Sequence, residues 1–476
     1  MEGLEISEVL LSKVFSIETH RLDSEYQKKK YLEIQKNIDN KPESFTYFKN
    51  LGLKVDASAF YPSLEPYYGL GNFPFLRVAD VDTNINYDNC IKIPITIVKD
   101  PSFNTLKVIH KGDIIITKGG SIGRVGLIEK DTAVTRDLIF INSSKLNSEE
   151  YKFLFLYLLS DISYDLMIRS SSMTAQPHLT IKLIRDLPIF ISENTLKKEV
   201  SNVYDKSQEL KLQSKELYVQ AENHLLEQIG LENFKPSTEG VNIKTLTNSF
   251  GSSGRLDAEY YQPKYDEIET RIGDIGYYQL KDTFDLKTNS SPKKYLEEGI
   301  KVIKTKNVRI PSIDYENISD FTDEAKVLVK QNDLLFASMG VGSLGRVSFI
   351  FDDNEKATVD GTIKILRAKK EFKDNYFEIP ALLFLTSAIG QEHIYKFIIG
   401  STGIISISKE NIENLMIPKI DISKRKELTK LVLESKKLKT QSEYLLEVAK
   451  KAVEIAIEEG EGKGLEYINV NTQNLN

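Results

Sequence analysis

The chain repeats itself. Residues 21–34 read RLDSEYQKKKYLEI and residues 255–268 read RLDAEYYQPKYDEI, identical at nine of fourteen positions. Unrelated chains of ordinary composition would share about one. The second copy begins at position 255 against 21, about half of the 476 residues later. A duplication on that scale governs the whole architecture. It calls for two versions of one module, each with its own core, and for two versions of whatever one module contacts.

The parallel continues beyond its opening. Residues 75–81 (FLRVADV) are matched by 302–308 (VIKTKNV), and 111–116 (KGDIII) by 331–336 (QNDLLF). A glycine loop follows each, GGSIGRVGLI at 119–128 and GVGSLGRVSFI at 340–350, and each module closes on an apolar-proline strand, Leu187-Pro188-Ile189 and Ile417-Pro418-Lys419. Short β-branched runs punctuated by Gly, Asn and Asp predict strand-rich mixed modules with some helices, such as 149–169 and 378–397. The fold class is α+β.

After each closing strand the pattern predicts a long helix, over about 195–229 and 422–459, free of proline and glycine up to the last turn. One heptad position of the first helix holds Leu196, Val203, Leu210, Leu217 and His224, with Val200, Ser207, Ser214 and Ala221 at its partner position. The second helix holds Lys424, Leu431, Leu438, Leu445 and Ala452, with Leu428, Ser435, Ser442 and Ala449. Small residues alternating with large ones along a seam let two helix backbones approach closely, so the helices are expected to pack on each other as an antiparallel coiled coil. Two independent amphipathic helices are the alternative. About 35 residues at 1.5 Å each give a rod of roughly 50 Å, longer than a DNA turn of about 34–36 Å. The expected arrangement is pseudo-twofold symmetric: a module over 1–193, a spacer helix over 194–234, a module over 235–420, a spacer helix over 421–459 and a flexible tail over 460–476.

Composition narrows the class. One cysteine, Cys90, excludes internal disulfides and thiolate-rich zinc sites and fits a reducing cytoplasm. The five histidines show no metal-ligand spacing, and neither a signal peptide nor a membrane span is expected. The net charge is −6; residues 1–193 carry 23 basic and 25 acidic groups, and residues 235–420 carry 25 and 27. Neither half is a polycation, so contacts with nucleic acid must be local or shared with a partner chain.

Several groups could make such contacts. Each glycine loop ends in an arginine, Arg124 or Arg346, and keeps a serine, Ser121 or Ser343. Turn amides and a guanidinium suit a phosphate, whereas a plain hairpin with a surface arginine is the alternative. No Gly-Lys-Ser/Thr ending follows, so the loops are not Walker loops. The densest basic stretch, 293–309, predicts a strand presenting Lys304 and Lys306 on one side, with Arg309 nearby and Arg77 as first-copy counterpart. Ser-rich loops before the closing strands offer Ser172, Thr174, Gln176 and His178 in one copy and Ser401 and Thr402 in the other, polar groups that suit phosphates or base edges. The RLD motif suits local ion pairing of Arg21, Asp23 and Glu25, with Leu22 and Tyr26 facing the core. No methyltransferase loop, nuclease carboxylate motif, or Cys/His or Ser/His pairing stands out.

Two copies of RLD-[SA]-E-Y, each opening a module with a glycine-arginine loop and closing on an apolar-proline strand before a long helix, resemble the DNA-specificity subunit of Type I restriction-modification systems. The resemblance spans about residues 1–459. Gln27 and Lys29 depart from the second copy's Tyr261 and Pro263. It implies two target-recognition domains, each reading half of a bipartite, interrupted site on double-stranded DNA. It also implies helices that dock two adenine methyltransferase subunits, with a motor-nuclease subunit joining for restriction. S-adenosylmethionine, ATP and Mg then act on those partners, and this chain has no catalysis or cofactor of its own. A specificity subunit of another two-part restriction or phage-defence assembly and a protein-binding scaffold are the competing expectations.

Overall fold

The computed structural model describes residues 7–16, 20–171, 178–372, 375–400 and 405–473. The chain divides into two compact units, residues 1–211 together with 440–476, and residues 212–439. The first unit is therefore discontinuous in sequence. It takes the first half of one long helix and the second half of the other.

In the first unit a four-stranded antiparallel sheet runs in the order Val55–Ala57, Leu138–Ile141, Ile114–Thr117, Val125–Leu127. A second sheet runs Ile91–Ile93, Phe73–Leu76, Thr132–Val134, Lys107–Ile109, with one parallel pair in its middle. Ile114, Ile115 and Ile116 are all fully buried, because that strand is covered on both faces. Leu76, Ile109, Ile115, Val134 and Phe140 share one core cluster and so join the two sheets. The closing strand, Pro188–Phe190, pairs with Phe45–Tyr47.

The second unit repeats the plan with one difference: among the described residues its smaller sheet has three strands, with no counterpart to Lys107–Ile109. Its four-stranded sheet runs Phe284–Thr288, Ile363–Ala368, Leu334–Ala337, Val347–Phe349. Its smaller sheet runs Phe321–Thr322, Ile300–Ile303, Ala357–Val359, again with a parallel pair, and Met416–Pro418 closes against Tyr277–Gln279.

Each expected mid-module helix is two helices. Ser148–Leu159 and Asp161–Ser170 meet at Ser160, and Glu378–Thr386 and Ala388–Tyr395 meet at Ser387. Both serines adopt extended backbone and accept an amide three residues on, from Ser163 and Gly390. A serine N-cap starts a new helix there in a new direction.

The RLD motif makes the local ion pairs expected of Arg21 with Asp23 and Arg255 with Asp257, both at 2.8 Å. The arginine lies over the motif tyrosine, Tyr26 at 4.7 Å and Tyr260 at 4.4 Å, and donates to a carbonyl of the mid-module helical region, Ser171 or Ile398. Leu22 and Leu256 do not face the core: they are 68% and 74% exposed. The arginine, not the leucine, ties the module's start to its body.

The long helices span Asn194–Gln228 and Ile422–Glu459. In the first unit Ser207 Oγ donates to the Ser442 carbonyl at 2.8 Å. In the second, Ser214 and Ser435 each donate to the other's carbonyl at 2.7 Å. Within the second unit His224 lies 3.2 Å from Glu427, so the chain runs forward on one helix as it runs backward on the other, which is antiparallel packing. Val200, Ser207, Ser214, Ala221, Leu428, Ser435, Ser442 and Ala449 are all buried, as are Val203, Leu210 and Leu445. Leu217, Leu431 and Leu438 are half-buried flanks. A hydroxyl bonded to a backbone carbonyl of the facing helix requires the close approach that small seam residues allow.

The tail differs from expectation. Glu461–Thr472 is a helix. Its Gly464 lies against the Ala452 carbonyl, where a Cβ would come within 2.7 Å, and Ile468 is buried. Glu461 accepts the Glu193 amide at 2.9 Å, at the start of the first long helix.

Candidate nucleic-acid interface

Both glycine loops are hairpin connections. In the first unit Thr117 and Arg124 close the hairpin, with Thr117 N donating to the Arg124 carbonyl and Arg124 N to Thr117 Oγ1, both at 2.9 Å. In the second, Ala337 N donates to the Arg346 carbonyl and Gly345 N to the Ala337 carbonyl, again at 2.9 Å. Gly123 and Gly345 have φ near 80° and lie against the second mid-module helix. A Cβ there would crowd Tyr164 or Gln391 at 3.2 and 3.1 Å. Glycine is thus required by backbone conformation and by packing alike.

Equivalent backbone bonds gather the candidates onto one edge of each unit. Thr135 N donates to Leu76 O, Lys118 N to Asp137 O and Leu179 N to Lys118 O. The counterparts are Asp360 N to Ile303 O, Ser338 N to Thr362 O and Ile407 N to Ser338 O. The turn after the first small-sheet strand, the glycine hairpin and the segment before the closing strand therefore form one continuous surface in each copy. In the first it carries Arg77, Ser121, Arg124 and His178. In the second it carries Lys304, Lys306, Arg309, Ser343 and Arg346. The His178 ring sits on Gly119, where a Cβ would come within 2.8 Å. Ser172, Thr174, Gln176, Ser401 and Thr402 lie outside the described residues.

The expected strand through Lys304 and Lys306 ends earlier. It stops at Ile303, and Thr305–Asn307 form a 3-10 turn whose preceding residue, Lys304, has its amide held by Asn307. The first copy does the same with Arg77 and Asp80. The side-chain acceptor three residues on favours a turn over a continued strand.

The basic groups differ in availability. Lys304 is bonded to Asp320 at 2.7 Å and lies over the Tyr295 ring at 4.2 Å. That bond holds the Asp320 carboxyl below, and the Lys304 ammonium above, its usual range. Arg77 pairs with Asp80 at 3.3 Å, and Lys306 lies 3.9 Å from Asp320. Arg124 and Arg309 are exposed, and Arg346 is half-buried. Burial, reinforced by the Arg309 charge, holds the Arg346 guanidinium below the usual arginine range. Arg136, not among the residues expected from sequence, lies over the exposed Phe60 ring at 4.6 Å in the turn that carries Thr135 and Asp137. Nothing in a lone TRD tripeptide marks it. Among the described residues no group of three His, Cys, Asp or Glu could hold a metal ion, and no helix is long and apolar enough to cross a membrane.

Each unit thus carries two small sheets ending in a polar, arginine-bearing edge. Residues 54–194 match the family model of the Type I restriction modification DNA specificity domain. The matched segment lies within the first unit, and the order of the four-stranded sheet recurs in the second. Among solved structures the chain is similar to a Type I restriction-modification S subunit from M. genitalium (14% identity, TM-score 0.38), covering 87% of this chain and 95% of that one. It is also similar to the HsdS subunit from Thermoanaerobacter tengcongensis (14% identity, TM-score 0.29, 87% and 96% covered).

Proposed function

We propose that the chain reads a bipartite, interrupted DNA site, one half through each module, and directs adenine methylation and ATP-dependent cleavage carried out by partner subunits. The observation that carries this reading is the divergence at the recognition edge. Both units keep the same four-stranded sheet, the same hairpin bonds and the same Arg-Asp opening, yet the edge offers Arg77, Arg136 and His178 in one and Lys304, Gly361 and Ser406 in the other. A common frame with different side chains suits two different half-sites, since base edges are read by side chains and phosphates by either.

The partners in this reading are double-stranded DNA, two methyltransferase subunits and motor-nuclease subunits, in the cytoplasm. S-adenosylmethionine, ATP and Mg belong to those partners, and the methyltransferase would turn the adenine out of the helix. The mild acidity of the chain fits an assembly in which partners carry part of the phosphate contact. Exchanging residues 1–193 for the corresponding module of a relative tests the proposal. One half of the methylated site should change and the other half stay. A change in both halves, or in neither, would contradict it.

A further inference from the structure

We propose that Arg309 and Arg346 together clamp one backbone phosphate of DNA in the second module, and that the first module lacks this clamp because Asp82 stands in place of Arg309. The proposal rests on the DNA-reading function above and assigns a distinct anion site within it.

The backbone brings the two arginines together. The Ser348 hydroxyl donates to the Arg309 carbonyl, and Phe349 N donates to the Pro311 carbonyl at 2.8 Å. These bonds fasten the 309–311 stretch alongside the strand Val347–Phe349, which Arg346 immediately precedes. The two charges are close enough for Arg309 to disfavour protonation of the half-buried Arg346. Like charges held together cost free energy unless an anion intervenes. Yet among the described residues neither guanidinium has a carboxylate within ion-pair distance, in a chain with 69 acidic against 63 basic side chains. A phosphodiester oxygen pair between two guanidinium forks would receive charge-assisted bonds from both.

The first module shows the same path with opposite charge. Asp82 follows residues 75–81 as Arg309 follows 302–308. Gly126 stands where Ser348 does, and a Cβ on it would come within 3.1 Å of the Asp82 carbonyl oxygen. The turn beside Arg124 thus carries a carboxylate, which also accepts the Thr83 amide at 2.7 Å. One cation and one anion make a poor phosphate site.

The test measures affinity against salt concentration for the full chain, assembled with its partners, on a duplex carrying its methylated site. Arg309→Ala and Arg346→Ala should each weaken binding roughly tenfold and lower the salt slope by about one, the share of a single phosphate. The double variant should lose little more than either single one, because both arginines serve the same phosphate. Arg124→Ala should change affinity less than about threefold, and Asp82→Arg should raise the slope by about one. Arg309 is exposed, so Arg309→Ala reports without disturbing the fold should Arg346→Ala fail to fold. Additive losses, or an unchanged slope in Arg309→Ala while the wild type binds its site, would overturn the clamp alone. A wild-type assembly that binds no duplex would overturn the DNA-reading function and the clamp with it.

Discussion

At the scale of single residues, His393 gives the clearest pH dependence. Its ring is buried, Nε2 accepts the Met416 amide at 3.0 Å, and burial pushes its pKa down to about 3. The unfolded histidine titrates near 6.5. Below about pH 6.5 the unfolded state takes up a proton that the folded state refuses, so stability falls as pH falls, by up to about 1.4 kcal/mol per pH unit. His393→Gln keeps an acceptor without the titration. Denaturant unfolding between pH 6.5 and 5 should show a flatter decline in that variant; an unchanged decline would contradict the assignment. Nothing in the sequence singled out His393, because its role depends on burial against Phe397 and on a partner 23 residues away. Arg21 and Arg255 were legible, since an Arg-x-Asp pair bonds locally. The exposure of Leu22 and Leu256 was not, because apolar character alone does not say which residues a turn carries outward.

At the scale of elements, the helix seam was legible residue by residue, because a heptad pattern with serines reports both face and spacing. Ser214→Leu would drive a branched side chain into a contact where the hydroxyl already touches the facing backbone at 2.7 Å. Overpacking of this kind costs about 1–3 kcal/mol, and loss of the Ser214 hydroxyl bond to the Ser435 carbonyl adds to it. Ser214→Ala with Ser435→Ala should cost far less, since both hydroxyl donors are removed without inserting bulk into the seam. Chemical unfolding of the two variants separates them, and equal losses would contradict a tight seam. The terminal helix was misread. Gly460, Gly462 and Gly464 read as a loose segment, whereas Gly464 is where that helix comes close to the second long helix. Gly464→Leu should therefore lower the melting temperature by several degrees, and an unshifted melt would show that the contact carries no stability. The broken mid-module helices were missed for a related reason: Ser160 and Ser387 are tolerated inside a helix and become caps only when the chain turns.

At the scale of the whole molecule, the repeat fixes the plan and the unit boundaries qualify it. Residues 440–476 complete the first unit, supplying Leu445, Ala449, Ala452 and Ile468 to its interior, whereas residues 212–439 are continuous. A chain ending at 439 should keep the second unit's cooperative unfolding transition and lose the first's. Retention of both in calorimetry would contradict the discontinuous first unit. The strand order was only partly legible, since short buried runs name strands without naming their neighbours. The charged edge was legible as residue types, but its pairing state was not. Lys304 is committed to Asp320, while among the described residues Arg309 and Arg346 have no carboxylate within ion-pair distance. The most direct test of the account is methylation profiling of cells carrying the complete system. It predicts adenine methylation in a site of two different half-sequences separated by an unspecified gap; methylation confined to one uninterrupted sequence would contradict it.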